Sequence, residues 1–246
     1  MEGARRVTAW RLLLTGPGEP GFNMALDEAL ALAVRRGWSP PTLRIYRWSS
    51  PAISLGCHQP LSVLEGFPEP TTPAVAVVRR PTAGGAVAHA DDVSYALVCG
   101  PAPLGGRPSR TLYAAFHAAL GQALAARAMG RYTLNTGRAQ SVPEQARCFE
   151  QPIADDLMLG PRKVAGAAQR RWRDGLLQQG TVAVPGCSPD RLALGIRTAW
   201  AEVFHSRFTV DTLTVQERVL ADELWSHPWT PSSSRPATPS ASNRSR

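Results

Sequence analysis

Two stretches of this 246-residue chain repeat their apolar residues with the period of a helix, while most of what surrounds them alternates with the period of a strand. From Asn23 to Gly37, the positions Met24, Leu26, Ala29, Leu30, Ala33 and Val34 form one broad apolar face, and Gly37 is the stop. Asn23 can cap this helix, with Asp27 and Glu28 early in it, where the helix dipole favours negative charge. From Ser109 to Met129, Leu112, Ala115, Phe116, Ala119, Leu120, Ala123 and Leu124 recur at the same spacing. Trp10–Leu14, Leu43–Trp48 and a run starting at Ala74 read as strands, and 86–100 reads as extended segments on either side of a turn. The segments DDLMLG, RKVAGAAQR and LLQQGTVAV read as a hairpin or meander, and Pro189–Phe204 as a third helix. Helices flanking a mixed, mostly antiparallel sheet make an α+β domain.

With 43% hydrophobic residues, the chain holds enough apolar material for one substantial core. Residues 227–246 are Pro, Ser, Thr and Arg with almost nothing to bury, so they are expected to be a disordered tail outside a domain spanning 1–226. The net charge of +8 is compatible with nucleic acid or with acidic protein partners. The basic residues are spread in ones and twos with no run of five, which argues against nucleic-acid binding. The N-terminal apolar run is too short for a secretory signal, and no segment approaches the roughly eighteen apolar residues that span a membrane. A cytoplasmic protein with reduced thiols, not bound to membrane, is expected. Cys57, Cys99, Cys148 and Cys187 show no metal-ligand spacing, so no metal is expected.

Of the 27 basic residues, all but Lys163 are arginine. In a chain that uses arginine wherever it serves, the lone lysine is a candidate for chemistry that needs a compact ammonium, against the plain reading of a surface lysine surviving by chance. Lys163 stands fifteen residues after Cys148, in RCFEQPIADDLMLGPRKVAG (147–166). The thiolate is the reactive form of cysteine, and a neighbouring cation lowers the thiol pKa. Two adjacent strands could fold the lysine back onto the sulfur. A second constellation, RRPTAGGAVAHADD (79–92), places Arg79 and Arg80 at a strand end with Gly84 and Gly85 close behind. Glycines there let main-chain N–H groups approach a ligand, and the arginines could neutralise a carboxylate or phosphate. Taken alone, each has a plain structural reading: a tight Gly-Gly bend with solvated arginines, and a small buried cysteine. His58, His117 and His205 lie outside both stretches and read as packing or surface residues.

Taken together and in order, these motifs resemble the lipoate and biotin protein ligase superfamily and, within it, the cysteine-dependent octanoyltransferases. The signature F-N-M-A-L-D-E-A stands at Phe22–Ala29 and L-R-x-Y-x-W at Leu43–Trp48. The arginine-glycine motif falls on Arg79, Arg80, Thr82, Gly84 through Val87 and His89. The lysine element falls on Lys163, Val164, Gly166, Ala167, Ala168 and Gln169, and L-L-Q-[HQ]-G on Leu176–Gly180. Departures are Ala83 for a glycine, Ala90 for the aspartate after the histidine, Pro161 for a glycine and Gln179 for a frequent histidine. Asp91 could stand in for the missing acid.

The resemblance implies the superfamily's catalytic-domain fold, an acyl thioester on Cys148, and Lys163 depressing the thiol pKa and orienting the thioester carbonyl. It implies substrate contacts from Arg80, Thr82, Gly84, Gly85, His89, Gly166 and Gln178, and no cofactor. The implied donor is octanoyl-acyl carrier protein, and the implied acceptor is a lysine of a lipoyl domain such as glycine cleavage H protein. The chain is expected to act as a monomer, with an apolar tunnel lined by the LRIYRW and AVAVV strands. Related ATP-dependent ligases use the same lysine on an acyl-adenylate and tend to carry an accessory domain. The cysteine, and the Pro/Ser-rich stretch after residue 226, favour ATP-independent transfer. An ATP-dependent lipoate ligase and an amidotransferase between lipoyl domains stand as alternatives. A branch with lysine before cysteine makes Cys187 a rival nucleophile, set aside because VPGCSPD lacks that branch's context.

Overall fold

The first helix, α1 (Pro20–Arg35), starts three residues before the position its apolar rhythm suggests. The structure is a computed structural model, which describes residues 9–67, 75–104, 106–126, 130–137, 148–204 and 206–227. Proline fits at the start of a helix, where its missing N–H is no loss, so Pro20 belongs to α1 and not to the preceding turn. The cap is Glu19, whose carboxylate accepts from the Phe22 N–H at 2.8 Å. Asn23, expected as the cap, is instead fully buried: its amide donates to the carbonyls of Gly18 and Arg47 and accepts from Arg44. Asp27 is equally buried and holds Arg44 at 2.6 Å, so it serves an internal ion pair more than the helix dipole.

One eight-stranded sheet runs in the order β11 (Arg207–Asp211), β1 (Ala9–Leu14), β2 (Thr42–Tyr46), β6 (Val93–Cys99), β10 (Gly175–Val182), β9 (Arg162–Trp172), β8 (Leu157–Leu159), β7 (Tyr132–Leu134). The pairs made by β1 are parallel and the remaining ones antiparallel, which is the mixed, mostly antiparallel sheet expected. A smaller sheet places β3 (Ala52–Leu55) between β4 (Ala76–Arg79) and β5 (Val87–His89).

Strand alternation splits the large sheet into two apolar faces. Leu12, Leu43, Ile45, Tyr95, Leu97 and Leu176 point to α2 (Ser109–Ala125) and α3 (Pro189–Phe204), where Phe116, Leu120, Ile196 and Trp200 complete the larger core. Leu13, Ala96, Val98 and Leu177 point the other way, to α1 and α4 (Val215–Ser226). α3 has the bounds read from the sequence, whereas β3, β7, β11 and α4 were not foreseen. The second helix ends at Ala125; residues 127–129 of the expected stretch, Ala74, His205 and all of the expected tail beyond His227 lie outside the described residues. Among the described residues, no helix is long and apolar enough to cross a membrane, and no group of three or more His, Cys, Asp or Glu could hold a metal ion.

His117 sits inside the larger core, hydrogen-bonded to the Tyr95 hydroxyl at 2.9 Å and the Asp155 carbonyl at 2.7 Å. Burial pushes its pKa down to about 4. The unfolded chain therefore binds this proton more readily than the folded one, and stability falls as pH drops from about 6.5 toward 4. At about 1.4 kcal/mol per unit, the loss is on the order of 3 kcal/mol. Urea unfolding between pH 7 and pH 4 should show this slope, and His117→Gln should flatten it.

Candidate active site

The elements around Cys148 and Lys163 bring sulfur and ammonium together. β9 carries Lys163, and the segment entering β8 carries Asp156. Lys163 Nζ lies 3.4 Å from Cys148 Sγ, 2.6 Å from the Cys148 carbonyl oxygen and 2.8 Å from Asp156 Oδ2. These three contacts match the three donors of an ammonium, so its direction is fixed. Lys163 is buried, Asp156 is fully buried, and Cys148 is half-buried.

Asp156 is the member that sequence reading missed. Its Oδ2 also accepts from the Ile153 N–H at 2.7 Å, and its Oδ1 from the Tyr113 hydroxyl at 2.6 Å. The same phenol oxygen accepts from the Ala167 N–H at 3.1 Å. Burial, reinforced by the Asp156 charge, pushes the Tyr113 phenol upward, so it stays a donor to the carboxylate. In the sequence, Asp155-Asp156 reads only as the start of a hairpin or meander segment; in the structure Asp155 adopts a positive φ of 69° and Asp156 precedes β8.

The arginine-glycine loop closes the opposite wall. Cys148 donates its main-chain N–H to the Ala86 carbonyl at 2.9 Å, tying the cysteine to that loop. Arg79 and Arg80, expected to neutralise a ligand's charge, are spent mainly on the chain itself. Arg79 donates to the carbonyls of Gly56 and Gln59, and buried Arg80 to the Ser54 carbonyl and hydroxyl and the carbonyls of Ala83 and Gly85. Gly84 takes a φ of +89°, and its carbonyl packs where a side chain on Gly56 would stand, so both positions demand glycine.

His89 is stacked on Trp48 with ring centroids 4.0 Å apart, and contacts Ser54 Oγ at 2.8 Å and Asp92 Oδ2 at 2.9 Å. The acid beside the histidine is thus Asp92, not Asp91: it is the last of the three residues linking β5 to β6, and its carboxylate reaches back to His89 and to the Ala90 N–H. Burial lowers the His89 pKa, with Asp92 pulling against it. Burial would raise Asp92, but hydrogen bonds from His89, the Ala90 N–H and Ser94 hold its carboxyl below the usual range.

Between these walls opens a cleft. Cys148, Lys163, Arg80, Gly84, Gly85, His89 and Gly166 all line it, and Trp48, Val87, Phe149, Ile153 and Ala168 give it apolar surface. Thr82 and Gln178 do not. Thr82 is fully buried and donates to Gln179 Oε1 at 2.9 Å, holding that side chain. Gln178 points to the α2 face of β10, where it accepts from Gln169 and donates to Tyr95; alternation makes its neighbour Gln179 the one that faces the cleft. Tyr46 and Trp48 line the cleft as expected of their strand, but Val77 and Val78 line a separate groove. Cys187 is buried, its thiol raised by burial, and it does not border the cleft. Cys99 is fully buried with its pKa pushed up to about 12, and Cys57 is also buried. His58 is exposed.

Residues 19–195 match the family model of the lipoyl protein ligase A/B catalytic domain. Octanoyltransferase LipM of Moorella thermoacetica is 40% identical over 184 residues, covering 71% of this chain and 65% of that protein. This chain thus spans just under two thirds of that relative's length. Octanoyltransferase LipM of Symbiobacterium thermophilum is 34% identical over 227 residues, or 89% of this chain and 81% of that protein. The fold is shared with a bi-partite lipoate protein ligase from Thermoplasma acidophilum, described with its E2 lipoyl domain (TM-score 0.65, 21% identity, 89% of this chain and 93% of that one).

Proposed function

Because this chain belongs to the lipoyl protein ligase A/B catalytic-domain family, we propose that it is an octanoyltransferase of lipoate synthesis that carries its acyl group on Cys148. The observation that carries this reading is the Lys163 ammonium 3.4 Å from the Cys148 sulfur inside an apolar-walled cleft. The names of the relatives support the octanoyl group.

In the first step the Cys148 sulfur, as thiolate, attacks the carbonyl carbon of octanoyl-acyl carrier protein. A carbon–sulfur bond to Cys148 forms, the bond to the carrier's thiol breaks, and that thiol leaves after taking up a proton. In the second step the amine of a lipoyl-domain lysine, such as that of glycine cleavage H protein, attacks the enzyme thioester. An amide forms, Cys148 sulfur leaves, and the proton lost by the amine restores the thiol. Thioester exchange is close to thermoneutral and amide formation is downhill, so neither step needs a nucleotide. The Lys163 ammonium stands where negative charge gathers in both steps. Arg80 and the Gly84-Gly85 bend hold the loop that faces the thioester, and Gly166 and His89 complete the wall. The net charge of +8 steers acidic carrier and lipoyl domains toward the chain, which acts as a monomer, in the cytoplasm.

The test is transfer from octanoyl-acyl carrier protein to an apo lipoyl domain without ATP, followed as the acceptor's gain in mass. Octanoylation under these conditions is the expected result. Octanoylation that appears only with ATP and free octanoate would overturn the reading in favour of an ATP-dependent ligase. Transfer only from an octanoylated lipoyl domain would instead make it an amidotransferase.

A further inference from the structure

Two cavities flank α1, and Met24 alone among the described residues lines both. On one side is the cleft of Cys148 and Lys163. On the other is a groove between α1, β4 and α4, with aliphatic walls from Leu55, Val77, Val78 and Leu224 and with Glu28 and Arg79 also at its lining. Met24 is 6% exposed and belongs to a cluster with Tyr46, Trp48 and Ala52, against which Ala76 and Val78 pack. Its sulfur lies 3.7 Å from Gln179 Nε2, and Gln179 is itself held by Asp27 at 2.8 Å and Thr82 at 2.9 Å. The methionine is therefore the partition between the two spaces, braced from the cleft side by a buried polar chain and from the groove side by aliphatic packing.

An acyl chain attached at Cys148 has apolar surface to follow along the cleft, from Val87, Ile153 and Ala168 to the aromatic rings of Tyr46 and Trp48. Each further methylene buried adds about 0.8 kcal/mol, or about fourfold in affinity, until the chain meets a wall it cannot displace. A side chain of unbranched carbons and sulfur makes such a wall compliant for small fits and closed to a long chain.

We propose that Met24 sets the acyl-chain length this enzyme accepts, by closing the cleft off from a groove whose aliphatic residues would take the end of a longer fatty acyl chain. This rests on the acyl-thioester reading of Cys148 above. The residue acts on length selectivity, and the chemistry stays with Cys148 and Lys163.

The experiment loads the full chain from acyl carrier protein bearing hexanoyl, octanoyl, dodecanoyl or hexadecanoyl groups, and reads the rate of adduct formation by intact-protein mass spectrometry. In Met24→Ala the dodecanoyl-to-octanoyl rate ratio should rise at least about tenfold over the unsubstituted chain, since several methylenes at about fourfold each gain a place to go. In Met24→Phe, which keeps the core filled, the hexanoyl-to-octanoyl ratio should rise. That variant keeps the length profile readable even if the alanine variant fails to fold. Identical length profiles in the unsubstituted chain and in every variant that folds would overturn the partition role. Absence of any adduct on the unsubstituted chain would instead overturn the thioester reading itself, so the two failures are distinct.

Discussion

Replacing Lys163 with methionine is expected to slow acyl transfer by about 10² to 10³-fold, the usual cost of removing one preorganised charge from the site of developing negative charge. It should also destabilise the fold by about 3–5 kcal/mol, because Asp156, fully buried, would be left without its cation. These two losses have different origins and can be separated. The double variant Lys163→Met with Asp156→Asn removes the orphaned charge, so most of the stability should return while the rate stays low. Denaturant midpoints and single-turnover transfer rates on the two proteins check this. Return of the rate along with the stability would mean that the lysine only props up the fold.

Substituting Gly166 with alanine tests the same ammonium from the opposite direction. A methyl group there would overlap Lys163 Cε and come within 2.7 Å of Nζ, with Asp156 Oδ1 at 3.1 Å. The obstacle is the far end of a flexible side chain, so the backbone can stay in place and the lysine must swing aside. A displacement of about an ångström at a reacting group costs on the order of 10²-fold in rate. Gly166→Ala should therefore lose about that much activity while its melting temperature falls far less than that of Lys163→Met. Equal damage to both quantities would show that the glycine serves the strand and not the lysine.

How much of the molecule is legible in its letters depends on how far each signal reaches along the chain. Lys163 is conspicuous because arginine stands at every other basic position, and the motifs around it carry the pairing with Cys148. The helix faces of α1 and α2 and the meander of β8, β9 and β10 are local periodicities, and they are where expected. Asp156 is illegible because nothing in DDLML distinguishes a turn carboxylate from one that the fold buries against a lysine seven residues on. Gln178 and Gln179 differ by one strand position, and only the register of β10 against β6 decides which faces the cleft. The helix α4 does carry a local signal, the Thr214-x-x-Glu217 capping box, easily passed over because its apolar face is thin. Glu217 also pairs with Arg11 of β1, a contact spanning nearly the whole chain, which no local pattern announces.

The proposed transfer depends on Cys148 holding the acyl group between donor and acceptor. The most direct measurement is peptide mapping by mass spectrometry after mixing the protein with octanoyl-acyl carrier protein and quenching before acceptor is added. One octanoyl group is expected on the peptide carrying Cys148, removed by neutral hydroxylamine and passed on to an apo lipoyl domain. An octanoylated acceptor formed at full rate while Cys148 stays unmodified, or with the group on Cys187, would contradict the mechanism.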